Sequence, residues 1–165
     1  MPITIAEDVL IRPAVTADAD ALRRFLIGLS PRSAYRRFFT SLGPVSARTA
    51  CRLLRRDHDQ EALLAFHGPD VIGHGMYGRV PGQEGVVELA VVVADDWQRH
   101  GIGPLLAQCL LDAARNHGVR EIRLTVLAQN RPALQLVGRS WPQARPDSYN
   151  GTYEYQVPLP ELGAA

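Results

Sequence analysis

Residues 86–117, VVELAVVVADDWQRHGIGPLLAQCLLDAARNH, constrain the fold more than any other stretch of the chain. Val86 to Val93 is a valine-rich run broken once, by Glu88. Such a run suits a central strand covered on both faces. Farther on, apolar residues recur at Ile102, Leu105, Leu106, Cys109, Leu110, Ala113 and Ala114, the spacing of an amphipathic helix. Between strand and helix stands Gln98-Arg99-His100-Gly101-Ile102-Gly103. Glycines there let main-chain N–H groups approach a ligand, and the helix start adds the positive end of its dipole. That combination suits phosphate oxygens. The turn is not a P-loop, because no lysine follows the second glycine, and it lacks the third glycine of a dinucleotide fingerprint.

The rest of the chain arranges itself around this unit. Val9 to Arg12 reads as a first strand. Thr16 is placed to cap a helix from Ala17 to about Leu29, with Asp18 and Asp20 at its positive end. Ser30-Pro31 breaks that helix. Ser33 to Phe39 predicts a second short helix, and Ser46 is placed to cap a third that reaches Arg56. Residues 61–67 and 71–80 predict a hairpin around Gly68-Pro69-Asp70, and Pro81 to Gly85 turns the chain into the central strand. The helical crossover then leads to a strand at Glu121 to Leu127, which predicts a parallel neighbour. Arg131 to Val137 predicts another helix, Gly138 onward is irregular, and Thr152 to Val157 alternates like a last strand. Pro158 to Ala165 reads as a loose tail. The pattern predicts an α/β (α+β) fold in one domain, 1–165: a mixed, mostly antiparallel central sheet flanked by helices.

Gln98-x-x-Gly101-x-Gly103 after a valine-rich strand resembles the acyl-CoA pyrophosphate loop of the GNAT superfamily of N-acetyltransferases. The strand at Glu121 to Leu127, followed by Asn130, extends the resemblance over almost the whole chain. A narrower resemblance rests on two short blocks, LSPRSAYRRFF at Leu29 to Phe39 and VVVADDWQ at Val91 to Gln98. Both are similar to segments of bacterial protein lysine acetyltransferases that act on acyl-CoA synthetases. The resemblance implies acetyl-CoA as cosubstrate and a protein partner bearing a target lysine, such as an acyl-CoA synthetase. Those relatives often carry a cyclic-nucleotide domain or a large synthetase-like domain. This sequence shows neither, so regulation through one is not expected, and oligomeric assembly is left open.

Composition narrows the classes further. The formal net charge is +1, which gives no reason to expect nucleic acid as a partner. All 18 basic residues are arginine, so the chain cannot carry acetyl-lysine on a side chain. Nine of those arginines fall between Ala21 and Arg56, with no acidic residue among them. They are either solvated helix faces or a surface for acidic protein or the phosphates of CoA. Cys51 and Cys109 lie in helical patterns and read as small buried apolar residues. His58, His67, His74, His100 and His117 show no ligand spacing with cysteine or carboxylate, so no metal is expected. With no signal peptide and no long apolar run, the expectation is a cytoplasmic protein that does not engage a membrane.

Acetyl transfer to an amine must first remove a proton. A lysine amine has a pKa near 10.4, so neutralising it at pH 7 costs roughly 4.6 kcal/mol. Glu88 is the candidate general base: it is the one charge in the central strand, and its place matches the family's strand glutamate. A structural ion pair with an arginine is the competing role. Glu84 is a weaker candidate because it sits in a turn. The resemblance further implies that main-chain groups of Val91, Val92 and Val93 hold the acetyl carbonyl and pantetheine. Gln98, Arg99, His100, Gly101, Ile102, Gly103 and Pro104 would surround the diphosphate, and Asn130 would contact the cosubstrate or cap the next helix. Where many family members place a tyrosine as acid for the leaving thiolate, this chain has Val137, with Tyr149, Tyr153 and Tyr155 as substitutes. Trp141-Pro142 stands in place of the usual Gly-Phe. Acetylation of a small amine and non-catalytic acyl-CoA sensing stand as alternative functions.

Overall fold

The computed structural model describes residues 3–5 and 8–160. Its strands are β1 (Ile3–Ile5), β2 (Val9–Pro13), β3 (Gln60–His67), β4 (Asp70–Arg79), β5 (Val86–Val93), β6 (Glu121–Leu127), β7 (Asp147–Tyr149) and β8 (Thr152–Pro158). Its helices are α1 (Ala19–Gly28), α2 (Pro31–Phe38), α3 (Ala47–Leu54), α4 (Ile102–Asn116) and α5 (Arg131–Ser140). All eight strands join one sheet in the order β1-β2-β3-β4-β5-β6-β8-β7. Only β5 and β6, joined by the α4 crossover, run parallel; every other neighbouring pair is antiparallel. This is the mixed, mostly antiparallel sheet that the sequence predicts.

Helices cover both faces, because the middle strands are apolar on both. One core gathers Val87, Val93, Ile122 and Val126 beneath Leu106 and Leu110 of α4 and Val137 of α5. The other gathers Leu64, Val92 and Phe66 beneath Leu22 and Leu26 of α1, Ala34 of α2 and Ala50 of α3. The α4 helix sets two leucines over glycines of β4. A Cβ on Gly73 would stand 2.9 Å from Leu106 Cδ1, and one on Gly75 would stand 2.9 Å from Leu110 Cδ1. Two missing side chains on β4 thus make room for the leucines of the helix whose first turn follows the glycine loop.

Several boundaries differ from the sequence reading, each for a local reason. Thr16 begins a 3-10 turn, Thr16–Asp18, and is not the helix cap. Asp18 does the work there: its carboxylate accepts from the Val15 N–H at 2.8 Å and from both Arg12 Nη atoms at 2.8 and 2.7 Å. The Arg12 bonds hold its carboxyl below the usual range against the opposing effect of burial. Ser30-Pro31 starts α2 as well as ending α1, with Ser30 Oγ accepting from the Ser33 N–H and Pro31 in the first turn. Ser46 caps α3 as expected. A strand at Ile3–Ile5 precedes the expected first strand, and α5 runs on to Ser140. Cys51 is exposed, not buried. Leu159 is buried and its N–H donates to the Arg120 carbonyl, so the chain is held at least that far. The remainder of the expected tail, 161–165, lies outside the described residues. Among the described residues no helix is long and apolar enough to cross a membrane, and no cluster of candidate metal ligands is present.

His74, on β4, is completely buried. Its Nε2–H donates to the Leu53 carbonyl at 2.9 Å. Burial, and then the positive charge of Arg37, push its pKa down from 6.5 to about 4. The fold therefore demands a neutral imidazole. The unfolded chain binds more protons between these two values, so this stabilisation is present above pH 6.5 and is lost as pH falls toward 4. Denaturant unfolding should show roughly 2 kcal/mol less stability from this residue at pH 5 than at pH 7. His74→Gln, which keeps an N–H donor, should flatten that dependence; an unchanged slope would show that His74 is not its source.

Candidate functional site

The site begins where two strands part. β5 pairs with β6 only at Val86, Val87 and Glu88, opposite Glu121, Ile122 and Arg123. Beyond that point β6 stays paired with β8 and β5 stays paired with β4. The main-chain edges of Leu89–Val93 and Leu124–Leu127 therefore face a gap. Ala94 N–H bonds the Ile72 carbonyl on the β4 side, so by alternation Val91 and Val93 turn their N–H groups into the gap. Val92 turns the other way and packs its side chain in the α1–α3 core. The β4–β5 ladder carries no bulge and keeps one register from Gly73↔Val93 to Arg79↔Val87. The register shift lies elsewhere, at Ala65/Phe66 between β3 and β4. The departure of β6 alone opens the sheet.

At the far end of β5 the glycine loop meets α4. Gly101 has φ +81° and Arg99 has φ +64°, left-handed conformations that turn the chain sharply. The 15-residue helix has no side-chain cap and no acidic residue in its first turn. Its N-terminal N–H groups are thus not claimed by a cap, which fits a diphosphate. Gln98, Arg99, Gly101, Gly103 and Pro104 line the cleft. His100 and Ile102 do not line it: His100 is exposed with Nδ1 2.9 Å from its Gln98 carbonyl, and the Ile102 side chain is buried in the core. Asn130 lines the cleft, and its side chain makes no capping bond to α5.

A polar knot fastens α2 to this loop. Asp95 accepts from the Ser30 N–H at 3.0 Å, Ser30 Oγ at 2.7 Å and Ser33 Oγ at 2.8 Å. Gln98 Nε2 donates to Ser33 Oγ at 3.0 Å and to the Val93 carbonyl at 3.1 Å. Burial opposes the charge on Asp95, but the Ser30 and Ser33 hydrogen bonds outweigh it and hold the carboxyl below its ordinary 3.8. The knot is therefore intact above that value and loosens only as pH falls through the lower folded one.

The cleft between these parts has a volume of about 1680 Å³. Among the described residues seven arginines line it, against a single carboxylate, Glu88. Sequence reasoning places Glu88 as a buried charge, yet its side chain is exposed to the cleft. It shares the α1–α3 side of β5 with Ala90 and Val92. Thr125 Oγ1, on β6, donates to Glu88 Oε1 at 3.4 Å. Among the described residues Glu88 makes no ion pair within 4.0 Å, although its charge acts on Arg37 through space. Glu84 is exposed in a separate hollow, and Asp96 does not line the cleft. Val137 is a buried core residue, and no tyrosine lines the cleft. Tyr149, Tyr153 and Tyr155 therefore lie outside it. Arg37, which no sequence signal separates from the other eight arginines of its segment, lies on the cleft wall.

Two substitutions test this construction. Gly101→Val forces a β-branched residue to φ +81° and should weaken CoA binding about tenfold by calorimetry, with the circular dichroism spectrum retained. Asp95→Asn removes the charge that gathers three donors. The α2 amides should then exchange faster with deuterium, while α4 amides keep their protection; equal protection in α2 would show that the knot does not hold it.

The acetyltransferase (GNAT) family model matches residues 28–139. An acetyltransferase of Pseudomonas aeruginosa is 33% identical over 128 residues, spanning 74% of this chain and 68% of that protein. The GNAT domain of S. lividans PAT superposes with a TM-score of 0.83 at 24% identity, over 92% of this chain and 90% of that one. The Salmonella typhimurium protein yncA, solved with its cofactor acetyl-CoA, superposes with a TM-score of 0.72 at 21% identity, over 96% of this chain and 98% of that one. The two structural likenesses concern the fold; with the family match and the Pseudomonas relative, they show that this chain belongs to the acetyltransferase (GNAT) family.

Proposed function

We propose that this acetyltransferase modifies the ε-amine of a lysine on a protein such as an acyl-CoA synthetase, with Glu88 as general base. As a family member, the chain uses acetyl-CoA as its cosubstrate. The observation that carries the catalytic part is Glu88 itself: among the described residues the only carboxylate lining the cleft, set where β5 and β6 part. The protein-substrate part is supported by the Leu29 to Phe39 block and by the arginine-lined cleft, which suits an acidic protein surface. A polycationic small amine would be repelled there.

Each group has a role in the reaction. The uncapped start of α4, with Gln98 and Arg99, would hold the diphosphate, and Asn130 would contact the cosubstrate. The N–H groups of Val91 and Val93 would pair with the pantetheine arm and steady the acetyl carbonyl oxygen as it gains charge. Glu88 takes a proton from the acceptor ammonium, directly or through one water, and the freed lone pair forms a bond to the carbonyl carbon; the nitrogen's second proton then passes to solvent. Thr125 keeps Glu88 turned toward the cleft. The carbon–sulfur bond then breaks, and the CoA thiolate leaves. A thiol of pKa near 8.5 is a tolerable leaving group. With no tyrosine lining the cleft, solvent supplies its proton.

Glu88→Gln separates this mechanism from binding alone. Turnover at pH 7 should fall about 100-fold or more while acetyl-CoA affinity is kept. The deficit should shrink as pH rises, because the amine then sheds its own proton. Mass spectrometry of acyl-CoA synthetases incubated with acetyl-CoA and the enzyme reads the acceptor directly. Unmodified lysines beside rapid acetylation of a free amine would end the protein-substrate reading, and full activity in Glu88→Gln would end the role of the carboxylate.

A further inference from the structure

We infer that the cleft holds, beside Glu88, a seat for a carboxylate carried by the acceptor, and that Arg37 is the residue that takes it. The inference rests on the reading that the Glu88 end of the cleft receives the acceptor amine. Arg37 projects from α2 into the cleft wall. Its Nε is sealed from solvent and has no hydrogen-bond partner. Among the described residues its guanidinium enters no ion pair within 4.0 Å. The neighbouring Phe38 ring lies 4.7 Å from Cζ and supports one face of the group without neutralising it. A buried cation without a counter-charge is costly unless something supplies one.

Two neighbours are candidates for that charge, and neither suffices. His74 carries an unpartnered Nδ1, but with Nε2–H committed to Leu53 the ring is neutral and offers only a lone pair. Glu88 acts on Arg37 through space without pairing with it. Burial lowers the Arg37 pKa to about 10, so the group stays charged at neutral pH. Glu88 is the charge that acts on Arg37, which places Arg37 toward that end of the cleft. The diphosphate belongs at the loop after Val93, and Glu88 to Val93 spans roughly 17 Å of extended strand. Arg37 shares the α1–α3 side with Glu88, so a ligand group there travels with the acceptor. With Nε sealed, the terminal Nη pair is the fork left to meet the two oxygens of a carboxylate. Two sources supply that chemistry: an acidic side chain beside the target lysine, or the α-carboxylate of a free amino acid.

Acetylation kinetics on matched acceptors decide. One arm uses blocked lysine peptides with Asp or Glu beside the lysine, against the same peptides with Asn or Gln. The other uses free lysine against lysinamide. Wild-type enzyme should favour the acid by about tenfold in kcat/KM in at least one arm, and that arm names the source. Arg37→Gln should erase the preference through KM, and Arg37→Lys should keep part of it. Equal rates on acid and amide in both arms would overturn the assignment. So would an equal kcat loss on acid and amide in Arg37→Gln, which would make Arg37 a partner of Glu88 alone. If Arg37→Gln does not fold, the wild-type and Arg37→Lys comparisons still decide. Bound acetyl-CoA with no transfer to any amine would instead overturn the proposed function, and this inference with it.

Discussion

Strands β5 and β6 share a ladder for three residue pairs and then separate. The neighbouring ladders are longer, as between β6 and β8 from Glu121 to Leu127 and between β4 and β5 from Gly73 to Arg79. Main-chain donors and acceptors left open inside a fold are costly, so a sheet that opens at its middle must meet them with something other than protein. Here the open edges face a cleft that continues into an uncapped helix start. An elongated ligand with amides along its arm and phosphates at its end would satisfy both sets. The opening also leaves Glu88 at its apex, facing space that a longer ladder would fill.

That geometry explains what the sequence showed and what it concealed. The run from Val86 to Asn116 was legible because its periodicity changes from a continuous apolar strand to a helical stripe across two glycines. The parallel crossover followed from the same unit. The exposure of Glu88 was not legible, because an acid inside an apolar run reads as buried when the strand is assumed to keep both neighbours. Only the departure of β6 exposes it. Arg37 was concealed for the opposite reason. It sits among arginines that solvate a surface, and its burial depends on the distant anchoring of α2. The Ser30-Pro31 pair was read as a stop because proline ends helices; the cap formed by the Ser30 side chain makes the same pair a start. The short strands at Ile3–Ile5 and Asp147–Tyr149 are three residues each, too brief for periodicity to mark.

The knot of Asp95, Ser30, Ser33 and Gln98 joins two regions with different chemistry. Gln98 belongs to the loop that would face the diphosphate, and α2 carries the arginines of the opposite wall. Because Gln98 also holds the Val93 carbonyl, strand, loop and helix form one connected unit. The wall that would meet the acceptor is thus referenced to the main chain that would meet the acetyl group, and not to the flexible side chains between them.

Gly73 and Gly75 carry the consequence furthest from the chemistry. They lie on the strand beneath α4, and a Cβ at either would crowd the end of a buried leucine, Leu106 or Leu110. The leucines could answer only by turning within a filled core. Two absent methyl groups thus leave the room in which the helix after the glycine loop settles on the sheet.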